Sequence, residues 1–195
     1  TNTVQKSVKV AVLDSGVDYA NDINVVKNAN YIPGEEELLP LFSDISGHGT
    51  SVAGIIGALD NGEGITGVLP GVQIYSARIL DNNNQAPISR VIEGIYWAID
   101  NHVNIINMSF GTEENSEALH RAIVDAYDAG ILIVAAAGNT CAEVEYPAAY
   151  PEVVAVGSVD STGNIASDSA KADEVELVAP GEKVKSTGGF GGSVI

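Results

Sequence analysis

The run Val8-Lys9-Val10-Ala11-Val12-Leu13-Asp14-Ser15-Gly16 sets a nearly continuous apolar strand directly against an acid and a turn. Valine favours extended backbone, and apolar side chains at successive positions put both faces of such a strand in the core. The same grammar recurs down the chain. Residues 8–13, 72–80, 104–108, 131–136, 153–156 and 174–178 read as strands, and residues 50–59, 88–101 and 116–129 between them read as helices. In the second helix Val91, Ile95, Ala98 and Ile99 recur at helical spacing, and Gly130 stops the third. Residues 30–44 and 81–87, rich in Glu, Pro and Asn, read as loops. Alternating strands and helices of this kind predict a parallel sheet covered on both faces.

A chain of 195 residues, 45% apolar and 18% charged, has a globular composition and the length for a substantial core in one domain, residues 1–195. No apolar run reaches the length of a membrane span. Residues 1–9 are polar and lead straight into the first strand, without a signal-peptide pattern. Twenty-six acidic residues against nine basic ones leave a formal net charge of −17. That field disfavours nucleic acid and anionic membrane as partners and favours cations and basic ligands, although most of the acids read as solvated surface. The single cysteine, Cys141, excludes an internal disulfide.

In open parallel sheets, chemistry collects where the strands end. Three junctions put polar side chains there: Asp14-Ser15-Gly16, Asn107-Met108-Ser109-Phe110-Gly111 and Ala137-Gly138-Asn139. Asp14 suits several roles, namely orienting a histidine, binding a metal, accepting a phosphoryl group, holding a ribose or capping a turn. His48 lies in Ser46-Gly47-His48-Gly49-Thr50-Ser51-Val52-Ala53-Gly54, and its small neighbours let a substrate backbone approach the imidazole. An acid and an imidazole on two strand-to-helix junctions are what a general base and its orienting carboxylate need. Asn139 offers an amide that can donate to a developing oxyanion, or it is a turn asparagine. No Gly-x-Gly-x-x-Gly or P-loop follows the first strand, which argues against a nucleotide-binding protein.

Together, Val10-Ala11-Val12-Leu13-Asp14-Ser15-Gly16-Val17, the His48 segment, Asn107 to Gly111, Ala137-Gly138-Asn139, Tyr146-Pro147 and Val178-Ala179-Pro180-Gly181 resemble the subtilisin-like serine proteases. They stand in that family's order and at about its spacing, from Lys9 to about Thr187. The resemblance implies a three-layer α/β/α fold around a mostly parallel sheet, and a serine endopeptidase working through an Asp–His–Ser triad. Asp14 would hold the useful tautomer of His48, His48 would act as base and then acid, and Asn139 would donate to the tetrahedral oxyanion. The family's serine sits in a Gly-Thr-Ser-Met-Ala-type turn whose expected place falls just past Ile195. Ser193, in Gly191-Gly192-Ser193-Val194-Ile195, lacks that turn. Residues 1–195 are therefore expected to be a C-terminally truncated catalytic domain without its nucleophile, inactive alone and poorly stable. The empty groove would expose apolar surface, at about 25 cal/mol per Å². A pseudoprotease using the same cleft for binding is the alternative.

By the same resemblance, a polypeptide substrate would pair as a strand with Asn84, Gln85 and Ala86 on one side and Ser109, Phe110 and Gly111 on the other. The pocket for the side chain preceding the cut bond (P1) would be lined by Ala136, Ala137, Gly138 and the loop 140–145. Glu143 and Glu145 lie in that loop, and either would favour Lys or Arg at P1 unless both are merely solvated. Residues 59–65 resemble the family's calcium loop, with Leu59, Asn61, Glu63 and Ile65 offering oxygens and Asp22 the carboxylate that suit Ca²⁺. An aromatic residue is usual in the family where Asp168 stands. Extracellular use is the family's common habit, so a secreted or cell-surface location is expected. A propeptide or the missing C-terminal segment is a further expected partner.

Overall fold

A computed structural model describes residues 8–18, 22–34, 44–141 and 143–188, and the backbone of residues 193–194. Strand β1 (Lys9–Asp14) is buried at every position after Lys9, as its apolar run requires. It is an interior strand of the sheet. With β2 (Val25–Asn30), β3 (Gln73–Arg78), β4 (Ile105–Met108), β5 (Leu132–Ala136), β6 (Val153–Val159) and β7 (Leu177–Pro180), it forms the order β2-β3-β1-β4-β5-β6-β7. All six neighbouring pairs are parallel.

Alternate side chains of this sheet pack on opposite layers. Val10, Val12 and Ile74 meet Ala53 and Val52 of α1 (His48–Gly57) on one face. Ala11, Leu13, Ile106 and Ile133 meet α2 (Ile88–Asp100) and α3 (Glu117–Asp128) on the other, through Val91, Ile95, Leu119 and Ile123. The result is the predicted three-layer α/β/α arrangement. The layer formed by α1 covers β1 and β3 but not the far half of its face, where Leu132 and Leu177 are 50% and 59% exposed. A two-residue strand, β8 (Ser186–Thr187), pairs antiparallel with β9 (Ser193–Val194) and lies along α1. A Cβ on Gly54 would stand 2.6 Å from Thr187 Oγ1, so this contact needs the glycine.

Three expectations change. Residues 25–30 carry an edge strand that the sequence pattern does not announce, because half of Val-Val-Lys-Asn-Ala-Asn is polar and no residue of β2 is fully buried. Asn30, expected to open a loop, instead ends that strand; of the expected loop, residues 35–43 lie outside the described residues. The last strand starts at Leu177 and not at residue 174, because Val175 N–H closes a turn on Ala172 O at 3.2 Å before pairing begins. Among the described residues, no helix is long and apolar enough to cross a membrane.

Candidate active site

Parallel strands deliver their carboxyl ends to one edge, and most of the candidate residues gather there. Asp14 is the last residue of β1 and His48 the first of α1, and His48 Nδ1 donates to Asp14 Oδ1 at 2.7 Å. The carboxylate is fully buried, whereas the imidazole side chain is 40% exposed. One end of the pair is thus fixed in the core and the other is open to a reactant.

The close approach has a local cause. A Cβ on Gly49 would fall 2.1 Å from Gly16 O and 3.0 Å from Asp14 Cβ, so only glycine after His48 lets the helix start lie on the strand end. Gly47 precedes it in left-handed backbone, φ 76°, and leaves the helix without a side chain of its own as N-cap. Asp44 takes over that task from three residues further back. Its Oδ1 accepts Gly47 N–H at 2.9 Å, and its Oδ2 accepts Thr50 N–H at 2.7 Å and Thr50 Oγ–H at 2.5 Å.

Ser15 joins the two acids. Its hydroxyl lies 2.7 Å from Asp44 Oδ1 and 3.2 Å from Asp14 Oδ1 and accepts Gly49 N–H at 2.9 Å, while its own N–H donates to Asp14 Oδ1 at 2.7 Å. Asp14 is therefore oriented before any ligand arrives. The hydrogen bond to Asp14 lifts the His48 imidazole above its ordinary range, against burial, which lowers it; the charges of Asp14 and Asp44 add to the rise. Sequence reasoning missed Asp44, Ser15 and Thr50. The signal was present as an Asp three residues ahead of the helix-opening glycine, a spacing used by side chains that cap helices.

Asn139 follows β5 and is exposed on a cavity of about 790 Å³ at the ends of β4, β5 and β6. Ser109, Phe110, Gly111, Ala136, Ala137 and Gly138 line the same cavity. Asn84, Gln85 and Ala86 lie in the loop after β3 and share a second cavity, about 490 Å³, with Phe110 and Gly111. Among the described residues, no backbone hydrogen bond is made by Ser109, Phe110 or Gly111. They are an open edge beside the imidazole's end of the sheet. Glu145 borders the cavity of about 790 Å³ and also a neighbouring one of about 800 Å³, whereas Glu143 lines only the latter, with Glu113 and Glu174. Ala142 of the same loop, and the side chain of Ser193, lie outside the described residues.

The expected cation loop is elsewhere, at the opposite edge of the sheet. Asp22 and Asn61 meet there, Asn61 Nδ2 donating to Asp22 Oδ1 at 3.0 Å, and Leu59 N–H donates to Asp22 O at 2.8 Å. Asn61 Oδ1 accepts Glu63 N–H at 2.9 Å. Asp22 and Asn61 carry oxygens of the type a hard divalent cation takes, and Leu59, Glu63 and Ile65 would add backbone carbonyls from the same loop. Binding would replace the Asn61–Asp22 hydrogen bond. Ile65 is placed in the same exposed loop.

The profile of the subtilase family matches residues 5–193. The chain is 44% identical over 180 residues to the thermostable alkaline protease of Halalkalibacterium halodurans, covering 92% of this chain and 49% of that protein. It is 42% identical over 184 residues to the minor extracellular protease Epr of Bacillus subtilis, covering 93% of this chain and 28% of that protein. It is also 42% identical over 187 residues to subtilisin E of Bacillus subtilis, covering 93% and 48%. The chain thus spans half or less of the length of these curated relatives.

Proposed function

Because this chain belongs to the subtilase family, we propose that it is the larger part of a serine endopeptidase domain that cuts extended polypeptides through an Asp–His–Ser triad. The observation that carries the reading is the 2.7 Å hydrogen bond from the half-open imidazole of His48 to the fully buried carboxylate of Asp14. With Nδ1 committed to Asp14, Nε2 is the nitrogen left to take a proton. In the proposed reaction that proton comes from a serine supplied by sequence beyond Ile195. The serine oxygen attacks the peptide carbonyl, and the imidazolium that forms is stabilised by Asp14. His48 then returns the proton to the departing amine, and water, giving its proton to the same imidazole, displaces the serine oxygen from the acyl group and restores the hydroxyl. Asn139 donates its amide to the oxyanion formed in between.

Binding follows from the open backbone. A substrate strand would take up the unpaired groups of Ser109, Phe110 and Gly111 and lie against Asn84, Gln85 and Ala86, so main-chain bonds would supply affinity that tolerates many sequences. Calcium belongs to the same proposal. Held by Asp22, Asn61, Leu59, Glu63 and Ile65, it would supply positive charge that ties the 59–65 loop to the segment before β2. A secreted protein whose maturation involves a propeptide is the setting this reading favours.

The full-length protein should hydrolyse a fluorogenic peptide and lose that activity to a serine-directed sulfonyl fluoride, while residues 1–195 alone should hydrolyse none. Peptide binding without cleavage by the full-length protein would overturn the enzyme in favour of a pseudoprotease.

A further inference from the structure

The cavity at the ends of β4, β5 and β6 has an acid built into its wall. Glu145 enters between the two backbone segments that flank it, and both give way to it by lacking a side chain. A Cβ on Gly111 would lie 2.2 Å from Glu145 Oε2, and one on Gly138 would lie 2.8 Å from Cδ and 3.0 Å from Oε1. The backbone at residue 145 is fixed from both sides. Glu145 N–H donates to Ala137 O at 3.0 Å, and the next residue, Tyr146, exchanges two hydrogen bonds with Thr112 at 2.8 and 2.9 Å.

The carboxylate itself is half-buried and, among the described residues, has neither a hydrogen bond nor an ion pair. Asp168 and Glu182 line the same cavity, and Lys183 is its one basic lining residue. Behind Glu145, the neighbouring cavity carries Glu113, Glu143 and Glu174 and no Lys or Arg among its lining. A half-buried acid with no cation of its own, in a cavity where three acids face a single lysine, is poised for a positive ligand group.

We propose that Glu145 makes this protein select lysine or arginine at P1. The inference rests on the protease reading and names its substrate class. The methylene stem would run along Ala136, Ala137 and Gly138, and the cationic head would meet the carboxylate from the cavity side, the space beside Gly111 and Gly138 being taken by Glu145 itself. Glu143, which faces the other cavity, has no part in it.

The test compares kcat/KM of the full-length protein on matched peptides with Lys, Arg or Phe at P1, for the parent, Glu145→Gln and Glu143→Gln. The parent should prefer Lys or Arg, and Glu145→Gln should lower the Lys-to-Phe ratio about tenfold or more, whereas Glu143→Gln should leave that ratio alone. Equal rates on Lys and Phe peptides, or a ratio that Glu145→Gln does not move, would overturn the inference and leave the protease standing. Binding of 4-aminobenzamidine, followed by its fluorescence, gives a readout that needs no turnover. Glu145→Gln should weaken it about tenfold or more, and unchanged binding would overturn the cation site. A protein that binds the amidine through Glu145 but cuts no peptide would overturn the protease reading alone.

Discussion

At the scale of single residues, the decisive feature is that Asp14 is buried and oriented without help from a ligand. The acid keeps His48 in one tautomer and raises its affinity for a proton, so the base form appears only above the ordinary imidazole range near pH ~6.5. Activity of the full-length protein should therefore rise with pH along a limb lying above that value. Asp14→Asn removes the charge that lifts the imidazole, so the limb should move to lower pH while kcat collapses. A loss on the order of 10⁴ is what the same change costs in an unrelated Asp–His–Ser protease. A pH–rate profile of the two proteins checks both parts; an unshifted limb would separate His48 protonation from Asp14. Asp14 and His48 were legible as a pair because motif order exposes them. Ser15 was not, since its hydrogen bond to Asp44, 29 residues away, leaves no local pattern, and Asp44 left only its spacing from Gly47.

Elements tell a similar story. Strands with continuous apolar runs and helices with a clear apolar stripe could be read to within a few residues, because burial on one or both faces dictates their composition. The edge strand β2 could not, since half-exposed backbone places few demands on side chains. Helix α1 began two residues earlier than expected, at His48, because its start is set by Asp44 acting across Gly47 and not by a cap next to the helix. Its closeness to β1 hangs on Gly49. Gly49→Ala should destabilise the protein by about 1–3 kcal/mol and should also pull the imidazole off Asp14. Urea midpoints would report the first effect and kcat the second. A variant of full activity and stability would mean that helix and strand can separate without harm.

For the whole molecule, the charge of −17 is the largest quantity visible in the sequence, and the calcium proposal gives part of it a use. A cation held between Asp22 and the 59–65 loop would bind the folded state alone and so would stabilise it by mass action. At a calcium concentration 100-fold above Kd this amounts to about 2.7 kcal/mol, and Tm should rise by several degrees over the value in chelator. Equal melting curves, or a rise that survives Asp22→Asn, would remove the site. The sheet's topology carries a different consequence. Every neighbouring pair of its seven strands is parallel, and β1 in its interior pairs with partners more than fifty residues downstream (Lys9 with Gln73, Val10 with Ile105). No hairpin can nucleate such a sheet, so the chain must close long loops before any ladder rewards it. Refolding is then limited by a search through distant contacts, and a protein built this way holds its shape more readily than it first finds it.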